Sequence, residues 1–183
     1  MVEPQEETII LPAIWNPMLD AFMKLIDLVE WHGSIEIQTQ LDRFDNHPLT
    51  SPLVTIYQEP DKSLTVDISG NAELLPKLTE VEYELMALLG WQKPWASKDE
   101  DYGDYPNFVK QFSKDAREFE IAESILYALV TVYGMKRTDL IAVEDLNIAE
   151  WLDDTGLLHR LELEPSNDER LLFRIETEED HHE

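Results

Sequence analysis

The chain has no cysteine, so disulfides, cysteine-ligated zinc sites and thiol nucleophiles are excluded, while redox compartment is left undecided. Basic residues are scarce: 14 Lys and Arg stand against 39 Asp and Glu, a formal net charge of −25 over 183 residues. Charge of that sign and size repels phosphate backbones and anionic headgroups, so neither nucleic acid nor a membrane surface is an expected partner. No apolar run approaches the roughly 20 residues that cross a bilayer. The acidic N-terminus, MVEPQEETIILPAIW, has no basic region ahead of its short apolar stretch. The cytoplasm is the resulting expectation. The acidic excess itself has two readings: a solvated shell that keeps the protein soluble, or a surface for a partner with a basic segment.

What is present is enough to build a core. Hydrophobic residues make up 43% of the chain, with five tryptophans, and a domain of this length buries roughly 70% of its unfolded surface. Residues 1–14 read as an acidic arm. Asn16-Pro17 is a helix start, a capping side chain followed by proline at the first helical position. Met18, Phe22, Leu25, Ile26 and Val29 then recur at helical spacing until His32-Gly33. Residues 34–41 alternate Ile35, Ile37, Thr39 and Leu41 with polar neighbours, as a half-buried strand does. Residues 53–58 and 64–69 are strand-like around the turn Glu59-Pro60-Asp61-Lys62. The three segments predict an antiparallel meander.

Beyond Gly70-Asn71, the sequence Thr79-Glu80-Val81-Glu82 is a capping box. Leu78, Val81, Leu85 and Leu88 follow one helical face, and Gly90 stands where a left-handed helix stop belongs. Residues 91–107 form a long connection rich in aromatic and acidic residues. Its Trp91, Trp95, Tyr102 and Tyr105 either make a partner-binding lip or fold back onto the core. A second long helix is predicted over 115–133, with Asp115 and Glu118 as a cap pair. Its wide apolar surface implies cover from the sheet and from another helix or subunit. A short helix around 143–152 and a hairpin of 157–164 with 170–177 complete the chain, before an acidic tail at 178–183. The expected fold is α+β: an antiparallel β-meander packed on one side by two or three helices, with a C-terminal helix plus β-hairpin over 143–177.

Chemistry is harder to find. An EF-hand loop started at Asp99 puts Gly103 on a ligand position and Lys110 on the twelfth, so the calcium pattern fails. None of His32, His47, His159, His181 and His182 stands in a metal-ligand or triad pattern. Paired carboxylates abound by composition alone, and Gly70-Asn71 lacks the spacing of a nucleotide loop. No catalytic residue, cofactor or metal is assigned. The C-terminal helix and hairpin suggest a winged helix in outline, but its Arg160, Arg170 and Arg174 are outnumbered by acids.

Several motifs coincide with one family. Val66-Asp67-Ile68-Ser69-Gly70-Asn71, Leu75-Pro76, Leu89-Gly90-Trp91-Gln92-Lys93-Pro94, Asn107-Phe108 and Val132-Tyr133-Gly134-Met135 occur in that order. In this the chain resembles the type III secretion chaperone-like and YbjN-like proteins in their actinobacterial form, over roughly residues 15–142. The resemblance implies an α+β domain at 15–142 that binds extended polypeptide, admits a homodimer and has no catalytic residues. A non-enzymatic protein- or peptide-binding module, chaperone-like or adaptor-like, is therefore the leading expectation. A small-ligand binder or enzyme using 91–105 as a lid comes second, and an acidic mimic of nucleic acid third.

Overall fold

The first helix shows how the local sequence is spent. In the computed structural model, which describes residues 11–95, 105–137, 139–143, 161–164 and 171–175, a 3-10 turn (Ala13–Trp15) leads directly into α1 (Asn16–His32). Asn16 is thus the first helical residue and not a side-chain cap. The turn has already given its backbone N–H an acceptor, the Ala13 carbonyl. Pro17 sits in the first turn as expected, and Gly33, at φ +78°, ends the helix. The face carrying Met18, Phe22, Leu25, Ile26 and Val29 is buried.

Three strands follow, β1 (Ser34–Gln40), β2 (Leu53–Gln58) and β3 (Leu64–Ile68), each antiparallel to the last. The α+β expectation of a meander packed by helices holds. Register pairs Ile37 with Val54 and Val54 with Ile68, so the apolar residues of all three strands share the face on which α1 lies. The tight turn at Glu59–Lys62 closes with a bond from Lys62 N–H to the Glu59 carbonyl.

Two strands were not anticipated. β4 (Phe108–Phe112) pairs with β3 at one side of the sheet, and β5 (Leu140–Val143) pairs with β1 in the middle. β7 (Leu171–Ile175) then pairs with β5, and β6 (Leu161–Glu164) with β7, giving one antiparallel sheet in the order β4-β3-β2-β1-β5-β7-β6. The C-terminal hairpin therefore extends the same sheet as the meander. Val143, expected to open a helix, is the last residue of β5, and the rest of that helix, 144–152, lies outside the described residues.

The remaining helices close the core. α2 (Glu80–Leu88) begins with the full capping box: Thr79 Oγ1 accepts from Glu82 N–H, and Glu82 accepts from Thr79 N–H. Glu82 also takes a charge-assisted bond of 2.7 Å from Arg43, whose other arm donates to the Val132 carbonyl at 2.9 Å. One guanidinium thus ties the start of α2 to the end of α3 (Glu118–Thr131). That bond holds the Glu82 carboxyl below its usual range. The Asp115–Glu118 cap pair does not form: α3 starts at Glu118 without a side-chain cap, and Asp115 N–H bonds the Ser113 hydroxyl. α3 packs along α1 and buries Ile121, Ala122, Ile125, Leu126, Ala128 and Leu129. Among the described residues no helix is long and apolar enough to cross a membrane.

The step from sheet to helix at Ser69-Gly70-Asn71 is where most of these pieces meet. Ser69 Oγ accepts from Leu53 N–H at 2.9 Å, and the Ser69 carbonyl accepts from the Tyr133 hydroxyl at 2.6 Å. Asn71 brackets Leu78, accepting from its N–H and donating to its carbonyl. Gly70 lies flat against the chain at Pro106, and a Cβ there would stand 2.0 Å from the Pro106 carbonyl oxygen. The Leu75–Pro76 peptide bond just beyond is cis.

Candidate functional site

β4 alternates, and its two faces do different things. Phe108 and Lys110 lie on the helix side, Lys110 opposite Val66 in register, whereas Val109 stands opposite Asp67 on the other face. A lysine on the core-facing side needs partners. Its ammonium donates to the Leu89 carbonyl at 3.0 Å and to Ser124 Oγ at 2.7 Å, and it sits 5.7 Å from the Trp91 ring centroid and 5.6 Å from that of Phe112. The first bond places a cation at the C-terminal end of α2, where the helix dipole favours it. Burial pushes the Lys110 ammonium below the usual lysine range.

Lys110 is also part of the lining of a cavity of about 390 Å³ between the exit of α2 and the first turns of α3. Leu89 and Phe119 give it apolar walls, and Ser124 and Tyr127 supply hydroxyls. At its mouth Arg117 and Glu120 form an exposed ion pair of 3.1 Å. Sequence reasoning passed over Lys110, because a lone lysine among Phe-Val-Lys-Gln-Phe carries no motif. The alternation of that pentapeptide was the available signal. It placed Lys110 between two phenylalanines on one face of a strand.

The four aromatic residues singled out in 91–105 do not act together. Trp91, at 2% exposure, is a core side chain under Lys110 and has no surface to offer a partner. It is buried because Gly90, at φ +88°, turns the chain back so that Trp91 N–H bonds the Met86 carbonyl. Tyr102 lies outside the described residues. Trp95 and Tyr105 are brought together: their backbones form a two-way bridge, and their rings stack at 4.6 Å and 13° with Trp95 42% exposed.

Beneath that stack, on the sheet face away from α1, the Tyr105 hydroxyl donates to Asp67 Oδ2. Among the described residues Asp67 Oδ1 is buried without a hydrogen-bond partner. Burial raises the Asp67 carboxyl above its usual range, against the opposing pull of the Tyr105 bond. Burial, followed by Asp67 and Tyr57, drives the Tyr105 hydroxyl well up, so it remains a donor. A carboxyl whose folded pKa is raised favours folding while protonated. That contribution is present below the unfolded pKa of about 3.9 and is lost as pH rises through the folded value. Asp67→Asn, which is neutral throughout, is therefore expected to gain melting temperature relative to the wild type as pH rises from about 4 to 7. Thermal melts of both proteins across that range check this; parallel curves would contradict it. Tyr105→Phe, which orphans the second carboxylate oxygen, is expected to cost about 1–3 kcal/mol at neutral pH in a urea titration.

Among the described residues no three His, Asp or Glu side chains gather as metal ligands. Comparison of the chain with protein-family models, with curated proteins and with solved structures returned no match.

Proposed function

We propose that this chain is a non-enzymatic protein- or peptide-binding module, chaperone-like or adaptor-like and of the YbjN-like kind, working in the cytoplasm. The observation that carries the reading is the outer face of α2. Val81 and Leu88 stand 79% and 83% exposed at i and i+7 of one helix, with half-buried Leu85 between them. The helix buries Met86, Leu85 packs partly against the core, and of the apolar face read from the sequence Val81 and Leu88 are left outward. Large exposed aliphatic side chains aligned on one helix face are the pattern of a groove or stripe that receives a partner's apolar anchors.

The charges around the stripe select the occupant. Glu80 and Glu84 flank it on α2 in a chain of net charge −25, and the cations Lys93 and Arg43 are paired with Glu84 and Glu82 of the same helix. The partner segment that fits carries leucine-like anchors framed by Lys or Arg, so that apolar contact holds it and long-range attraction speeds its arrival. A basic amphipathic peptide is expected to bind the full chain, and an acidic peptide with the same apolar pattern is not. The double variant Val81→Glu, Leu88→Glu should lose the binding while keeping the wild-type melting temperature, because neither side chain is in the core. Fluorescence anisotropy at two salt concentrations reads both. Equal binding of the two peptides, or full retention by the double variant, would overturn the proposal, and sedimentation showing the stripe covered by a second copy would replace the partner with a homodimer.

A further inference from the structure

The cavity beside α3 is lined by two charges that form no ion pair among the described residues. Lys110 has three N–H donors and uses two of them, on the Leu89 carbonyl and Ser124 Oγ. It makes no ion pair among the described residues. Glu123, half-buried and lining the same cavity, has neither a hydrogen bond nor an ion pair among them. Burial of the Lys110 ammonium is costly unless something completes it, and the Glu123 carboxylate on the same lining has no cation among the described residues. They are not close enough to complete each other, and the neighbouring cation Arg117 is engaged with Glu120.

From this arrangement we infer that the cavity is a binding site for a small zwitterion with an apolar substituent, of the α-amino-acid class. Its carboxylate meets the free N–H of Lys110 and the hydroxyl of Ser124 or Tyr127. Its ammonium meets Glu123, and its side chain packs between Leu89 and Phe119. The size agrees: about 390 Å³ falls at the small end of ligand pockets. The chemistry agrees as well, since the lining pairs a few polar groups of opposite sign with apolar walls. A simple anion would satisfy Lys110 but be repelled by Glu123, and a simple cation the reverse. The zwitterion is the class that uses both. The lowered pKa of Lys110 is in keeping with an ammonium that lacks a counter-charge. The site is separate from the outer stripe of α2, whose Val81 and Leu88 do not line the cavity, so either reading can fail alone.

Titration calorimetry of the full chain with L-phenylalanine, 3-phenylpropionate and phenethylamine tests the inference. The amino acid is expected to bind, and each analogue, lacking one charge, to bind at least about tenfold more weakly. Lys110→Met should abolish binding of the amino acid. Glu123→Gln should weaken it about tenfold, because it removes one charged contact of two. Should Lys110→Met fail to fold for want of its cap on α2, Glu123→Gln, which leaves that cap in place and is checked by circular dichroism, decides the matter. No heat with L-phenylalanine or L-leucine, equal affinity for 3-phenylpropionate, or Glu123→Gln binding as the wild type would overturn it.

Discussion

Gly70→Ala is expected to destabilise the chain by about 3 kcal/mol, at the upper end of what overpacking costs. The melting temperature should fall by roughly 6–12 °C for a protein of this length. The reason is the contact, not the backbone angle. The added Cβ would stand 2.0 Å from the Pro106 carbonyl oxygen and 3.0 Å from Pro94 Cγ. A flexible side chain in the way would swing aside, but a carbonyl cannot do so without moving its strand. Pro106 is two residues ahead of β4, and Asn107 between them accepts the Gly70 N–H at 3.5 Å. Relief of the clash therefore pulls β4 away from β3. A urea titration with unchanged slope and a lowered midpoint is the expected record. A midpoint within error of the wild type would show that the approach of the two segments is looser than described.

Tyr133→Ala carries the other large effect, about 3–5 kcal/mol, since it empties a site whose side chain is fully buried. Tyr133→Phe separates the hydroxyl from the ring. It leaves the packing and strands the Ser69 carbonyl that accepted the 2.6 Å bond, for about 1–3 kcal/mol. The pH dependence distinguishes the two roles. Burial, with Tyr83 contributing, holds the Tyr133 hydroxyl well above the ordinary tyrosine range. Its stabilisation is present below the unfolded pKa of about 10 and is lost as pH rises beyond it. The wild type should thus weaken in alkali more steeply than Tyr133→Phe. Alkaline melts in which both proteins decline together would assign the stabilisation to packing alone.

These two positions also show what could be read in advance. Gly70 and Tyr133 stood in the motifs Ser-Gly-Asn and Tyr-Gly, where the glycine reads as a break after the strand and the tyrosine as part of an apolar helix face. That they serve one junction was not legible, because 64 residues separate Ser69 from Tyr133 and no local rule relates them. The strands β2 and β3, the end of α1 and the capping box at Thr79 were legible for the opposite reason. Each rests on a period or a reciprocal bond within a few residues. β4 and β5 were missed because a five-residue and a four-residue strand owe their existence to partners far along the chain. The site fared similarly. Trp91 drew notice as an aromatic residue in a long connection, yet the turn at Gly90 commits it to the core. The cavity is assembled from β4, α2 and α3, and its chief cation is marked only by the alternation of a five-residue strand.

The bridge between Gln92 and Val109 has a consequence for how this protein keeps to itself. β4 is the last strand on its side of the sheet, and a terminal strand with free backbone groups is a template for another molecule's strand. Here both the N–H and the carbonyl of Val109 are already taken by Gln92, at 3.0 and 2.8 Å. Pro94 and Pro106, on either side of the Trp95–Tyr105 bridge, have no N–H to lend to an incoming strand. The chain has in effect written a short piece of itself over its own open margin, so that this margin is guarded against edge-to-edge aggregation.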